Sequence, residues 1–169
     1  MTNGNIRIML VEDEDIIRIL TRRALGAAGY QVEDYAHGES ALTKLQELRA
    51  TGKKGYFSVI LSDIDMPRLD GLALAEECKH LAPESSLILM TGKPRDTYPN
   101  NVCTVLDKPF TVDALYEAIK RCTPSVPETL EGLKNLTPIK AALHNGRVEL
   151  AGRAYSNTQL AAREYHGLA

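Results

Sequence analysis

The feature that most restricts the fold of this 169-residue chain is an alternation that runs through residues 1–122. Short apolar runs take turns with stretches whose apolar positions recur at helical spacing. Ile6–Val11 (IRIMLV) reads as a strand. Asp15–Ala28 carries Ile16, Ile17, Leu20, Ala24, Leu25 and Ala28 on a helical period, and Gly29 stands where a helix stop belongs. Gln31–Tyr35 fits a second strand, and Glu39–Leu48 a helix with Leu42, Leu45 and Leu48 on one side. After a Gly52–Gly55 loop, Phe57–Ser62 reads as a central strand and Leu72–Leu81 as a helix. Leu87–Met90 and Thr104–Leu106 fit strands four and five, and Val112–Arg121 a last helix with Leu115, Ala118, Ile119 and Cys122 inward.

Such alternation implies an α/β fold, a parallel sheet covered on both faces. Sheets of this kind gather ligands at the carboxyl ends of their strands. That edge is chemically unusual here. Glu12, Asp13 and Glu14 follow strand one, Asp63 and Asp65 strand three, Thr91 strand four and Lys108 strand five. Carboxylates brought this close repel one another, and a divalent cation relieves the repulsion. Mg²⁺ suits the role, since it takes one or two carboxylates together with phosphate oxygens. A carboxylate can also act as the nucleophile toward phosphorus, a lysine can hold a phosphoryl oxygen by charge, and a threonine hydroxyl can donate to another.

Four strings carry a family resemblance: MLVEDED, LSDIDMPRLDG, LMTG and LDKPF. Together, in this order and spacing, they resemble the hallmarks of bacterial response-regulator receiver domains, over about residues 5–122. The resemblance implies a doubly wound, flavodoxin-like five-stranded parallel sheet of order 2-1-3-4-5. It implies that Asp63 is the phosphoacceptor, that Asp13 ligates Mg²⁺ directly with Glu12 acting largely through water, and that the backbone carbonyl of Asp65 completes the metal site. Lys108 then contacts the acceptor carboxylate and the phosphoryl group, and Thr91 moves toward that group on activation. Pro109 matches a position whose preceding peptide bond is usually cis. Met66-Pro67 and Asp70-Gly71 match the loop into helix three, where Asp70 is expected to cap the helix rather than bind metal. The implied function is a two-component phosphorylation switch, part of a phosphorelay. It would be charged by a histidine kinase or a histidine phosphotransfer protein, act on an unknown downstream protein, and work in the cytoplasm as no enzyme beyond its own phosphoryl transfer and autodephosphorylation.

Two departures stand out. The position three before the lysine, usually aromatic in the family, is Val105, so the aromatic half of the usual switch is absent. The stretch between Thr91 and Lys108 is short and holds Pro94 and Pro99, which predicts a fourth helix that is short, irregular or missing. The usual symmetric dimer through helix four is not expected for the same reason. Lys93 and Asp65, each two residues beyond a site residue, flank the path of an attacking water.

The remainder excludes more than it assigns. A formal net charge of −2 leaves no basic footprint for nucleic acid, and no apolar run is long enough for a membrane span or a secretion signal. Cys78, Cys103 and Cys122 are odd in number and widely spaced, which predicts three thiols in a reducing cytosol. His37, His80, His144 and His166 lack ligand spacing and read as surface residues. Residues 123–132 read as a linker and 133–169 as a tail, partly disordered or weakly helical, with a turn around Ile139, Ala142 and Leu143 and a helix through Leu160, Ala161, Glu164, Tyr165 and Leu168. No DNA-binding output domain is evident there. Two other functions remain open. Asp63-Ile64-Asp65 also resembles the nucleophile loop of haloacid-dehalogenase-type phosphatases, although that loop belongs on a first strand and Pro67 departs from its pattern. A receiver-like adaptor without phosphorylation is the other.

Overall fold

A computed structural model describes residues 6–123 in full, and the backbone of 141–144, 147–150 and 153–156. The elements run β1 (Arg7–Val11), α1 (Asp15–Ala27), β2 (Gln31–Tyr35), α2 (Gly38–Ala50), β3 (Val59–Asp63), α3 (Gly71–Leu81), β4 (Ser86–Thr91), β5 (Val102–Asp107) and α4 (Val112–Cys122). Three short strands follow: β6 (Ala141–His144), β7 (Arg147–Leu150) and β8 (Arg153–Ser156).

The first five strands form one sheet of order β2-β1-β3-β4-β5 with every pairing parallel. The expected strand order is therefore the observed one. The central strands are buried throughout, as both faces are covered: β3 has no exposed residue, and β1 and β4 have only a half-buried first residue. Apolar residues on the two faces build two cores. One holds Ile8, Leu10, Leu61, Ile88 and Leu106 with Leu25 of α1 and Ile119 of α4. The other holds Met9, Val11, Ile60 and Leu89 with Leu45 of α2 and Leu74 of α3.

Local chemistry sets several element ends. Asp70 caps α3, its Oδ1 accepting from the Ala73 amide at 2.8 Å, which is the capping role expected of it. Thr111 caps α4 in the same way through the Ala114 amide. Gly71 starts α3 pressed against the end of β3: a Cβ there would stand 2.2 Å from the Asp63 carbonyl oxygen. Gly71→Ala is thus expected to destabilise the fold by about 1–3 kcal/mol, read by chemical denaturation, because backbone rather than a flexible side chain must yield.

Between β4 and β5 the described residues form only turns and bends, so the fourth helix of the expected pattern is missing. Pro94 and Pro99 account for it, since each removes an amide donor and restricts the residue before it. Two expectations are corrected. Cys103 and Cys122 are not thiols: they form a disulfide from β5 to the end of α4, and only Cys78 is free, and buried, among the described cysteines. Wide sequence spacing concealed the pair because the βα unit folds back on itself. The turn read around Ile139, Ala142 and Leu143 is replaced, at Ala141–His144, by a strand paired with β7. The helix read through Leu160–Leu168 and most of the linker lie outside the described residues. His37 and His80 are exposed, as read; the side chains of His144 and His166 also lie outside the described residues.

Candidate functional site

All five parallel strands end on one edge, and register decides which residues meet there. β1 and β3 are neighbours, so Glu12 and Asp13, just past β1, come beside Asp63, the last residue of β3. Carboxylate oxygens of Glu12, Asp13 and Asp63 all lie within 4.8 Å of one another. Lys108 reaches this group from the far side of the sheet. Its Nζ stands 2.8 Å from Glu12 Oε2 and 3.1 Å from Asp63 Oδ1. The peptide bond between Lys108 and Pro109 is cis, as the resemblance implied. The Lys108 amide also donates to the Thr91 carbonyl at 2.6 Å, tying the end of β5 to the end of β4.

One backbone amide and one guanidinium hold the acids' surroundings further. The Ile64 amide donates to Asp63 Oδ1 at 2.9 Å, and Arg18 of α1 donates to the Glu12 carbonyl oxygen at 2.9 Å. Glu12 is fully buried and Asp63 is 4 % exposed, so neither carboxylate is well solvated. Burial pushes the Glu12 carboxyl up to about 7, against the pull of Lys108 in the opposite direction. Asp63 is raised as well, first by burial, with Lys108 opposing and Asp13 and Asp65 adding to it. Burial acts to lower the Lys108 ammonium, but the facing Glu12 and Asp63 carboxylates outweigh it and the group is held above its ordinary value. Three acids and one ammonium leave an excess of negative charge in a poorly solvated place. An oxygen-seeking divalent cation fits that donor set, with Glu12, Asp13 and Asp63 as its holders.

Thr91 is fully buried at the end of β4. Its hydroxyl donates to the Lys93 carbonyl and accepts from the Lys93 amide, both at 3.0 Å, so it is engaged with the segment that replaces the fourth helix. Asp65 lies outside the carboxylate cluster. Its exposed side chain pairs with Arg95 of that same segment at 3.2 Å. Sequence reading did not single out Arg95 or Arg18. Arg95 lies beside the two prolines that drew attention to the segment, but nothing in the residue pattern says where its guanidinium goes. Glu14 sits at the N-cap position of α1 with no side-chain capping bond, outside the cluster. Val105 is half-buried against the second core.

Comparison with known proteins agrees with this geometry. A family model described as the response regulator receiver domain matches residues 8–120. The chain is 34 % identical over 121 residues to the response regulator receiver protein CpdR of Brucella abortus (strain 2308), covering 68 % of this chain and 94 % of that protein. It is 32 % identical over 123 residues to the sensor kinase CckA of the same organism, covering 70 % of this chain but only 12 % of that kinase. Among solved structures it is similar to the receiver domain of the hybrid histidine kinase CckA, with TM-score 0.58 and 33 % identity, covering 69 % of this chain and 97 % of that one. It is also similar to the response regulator TrrA of Thermotoga maritima, solved in complex with Mg(2+)-BeF, with TM-score 0.61 and 29 % identity, covering 69 % of this chain and 98 % of that one.

Proposed function

The chain belongs to the response regulator receiver domain family, and from that premise we propose that it is a phosphoacceptor switch in which Asp63 takes a phosphoryl group. One observation carries the reading: a single ammonium, Lys108, bridges the carboxylates of Glu12 and Asp63 across 96 residues of sequence, with Asp13 in the same cluster. Asp63 Oδ attacks phosphorus, a P–O bond forms, and the bond to the donor breaks with its electron pair. With a phosphohistidine donor that pair returns to the imidazole nitrogen, which then takes a proton. Asp13, Asp63 and the backbone carbonyl of Asp65 would hold Mg²⁺, with Glu12 acting largely through water. Bound there, the ion would supply positive charge against the carboxylates and the phosphoryl oxygens. Lys108 offers its ammonium to one phosphoryl oxygen as charge grows. Thr91 leaves Lys93 and donates its hydroxyl to another.

The donor is a histidine kinase or a histidine phosphotransfer protein, as the kinship to CpdR and to a receiver segment of CckA suggests. Output passes to a downstream protein by contact. The chain is a switch rather than a turnover enzyme, catalysing only its own phosphorylation and dephosphorylation. Residues 1–122 form the receiver, 123–132 the connection and 133–169 an appendage. Among the described residues no helix is long and apolar enough to cross a membrane. The reading assigns the chain to the cytoplasm, where the Cys103–Cys122 pair would meet reducing thiols; thiol titration of freshly isolated protein reads whether one or three cysteines are free.

The test is incubation with phosphoramidate and Mg²⁺ followed by intact mass and peptide mapping. The expected result is one phosphoryl group, on Asp63, lost with Asp63→Asn and absent under excess chelator. Unmodified protein under these conditions would favour the adaptor reading, and sustained turnover of a phosphomonoester would favour the phosphatase.

A further inference from the structure

The two edges of the parallel sheet are unlike. β2 carries the half-buried acids Glu33 and Asp34, and Asp34 is paired with Arg18 and Arg22. Charges of this kind protect an edge from pairing with another strand. β5 has no charge from Val102 to Leu106 and no proline, and its one ladder partner is β4. Beside it, where a fourth helix would lie, Tyr98, Val102 and Val105 are only half-buried at the rim of the second core. This margin combines an uncharged edge strand with partly exposed apolar side chains.

The chain itself leaves the fold at the same margin. Cys122, the last residue of α4, is bonded to Cys103, the second residue of β5, with their Cα atoms 6.0 Å apart. Whatever follows Thr123 therefore starts next to the unprotected strand. The 17 residues from 124 to 140 can span at most about 60 Å, so the segment that follows is tethered within reach of β5.

β6, β7 and β8 are strands of four residues each in an antiparallel meander. Taken by themselves, three strands of this length fall well under the roughly 40 residues below which a chain rarely sustains a core of its own. Its register puts positions 143, 148 and 155 (Leu, Val and Tyr) abreast on one face. The result is a small sheet with an apolar row of positions, tethered beside an apolar margin that lacks a helix. We propose that the β6–β8 sheet, Ala141–Ser156, docks on the β5 margin over Tyr98, Val102 and Val105, standing in for the missing fourth helix.

Hydrogen exchange on the full-length chain tests this, with Val148→Pro as the variant. Proline in the middle strand removes a ladder donor and disfavours the strand that holds the small sheet together, while changing no residue of 6–123. The expected result is that amides of Tyr98 and of Val102–Leu106 exchange at least about tenfold faster in the variant than in the parent chain, while those of β1 and β3 are unchanged. Protection in the parent should not vary with protein concentration. Equal exchange at β5 in the two proteins overturns the proposal. Protection that rises with concentration also overturns it, since a second copy would then be the occupant. Faster exchange in β1 and β3 as well overturns it too, because the segment would then support the whole fold rather than this margin.

Discussion

Lys108→Met is expected to lower stability by about 3–5 kcal/mol at pH 8 and by much less at pH 5. The variant keeps the aliphatic stem and removes the one cation that, among the described residues, pairs with both Glu12 and Asp63. At pH 8 two buried carboxylates are left without a counter-charge, the costly case of a broken buried ion pair. At pH 5 Glu12, which burial already raises to about 7 in the parent chain, takes up a proton and the penalty fades. Urea denaturation at the two pH values reads the difference. An equal loss at both would mean that the lysine stem packs and its charge does not matter. Phosphorylation of the variant by phosphoramidate should be slower by a factor on the order of 10²–10³, the usual effect of removing one group that stabilises developing charge.

The metal-free protein is expected to lose stability as pH rises, opposite to the behaviour of a protein whose acids are held low. Glu12 titrates near 7 in the fold against 4.5 for an ordinary glutamate. A raised carboxyl contributes its full stability below the unfolded value and loses it as pH climbs through the folded one. The loss between about pH 4.5 and 7 amounts to roughly 3 kcal/mol. Asp63 is raised too and acts in the same direction. Mg²⁺ should reverse the trend at pH 8, because cation binding favours the ionised cluster. Its affinity should weaken by up to about tenfold per pH unit below 7, as a proton on Glu12 competes with it. Thermal unfolding at pH 5, 6, 7 and 8, with Mg²⁺ and with chelator, checks both statements. Glu12→Gln should flatten most of the metal-free slope. A Tm that rises with pH in chelator would show that the Glu12–Lys108 attraction outweighs burial.

The residue pattern alone determined the alternation of strands and helices, the edge at which polar groups collect, and the breakdown of a regular helix around Pro94 and Pro99. These are local properties: periodicity, β-branched runs and missing amide donors act within a few residues of chain. Even the placement of the candidate site residues was legible, since Glu12, Asp13, Asp63, Thr91 and Lys108 each fall at a strand end, and parallel strands bring their ends to one side. What tertiary structure alone decided is everything that depends on through-space neighbours. Lys108 meets Glu12 across the sheet, and Glu12 is moved to about 7 by a burial that no sequence window contains. Thr91 is turned to Lys93, and Arg95 to Asp65, by the path of a segment with no periodicity to read. Cys103 and Cys122 pair because α4 returns along β5, so distance in the chain misjudged distance in space. Desolvation and contact are properties of the packed molecule, and one-dimensional spacing carries them only where a regular element translates it into position.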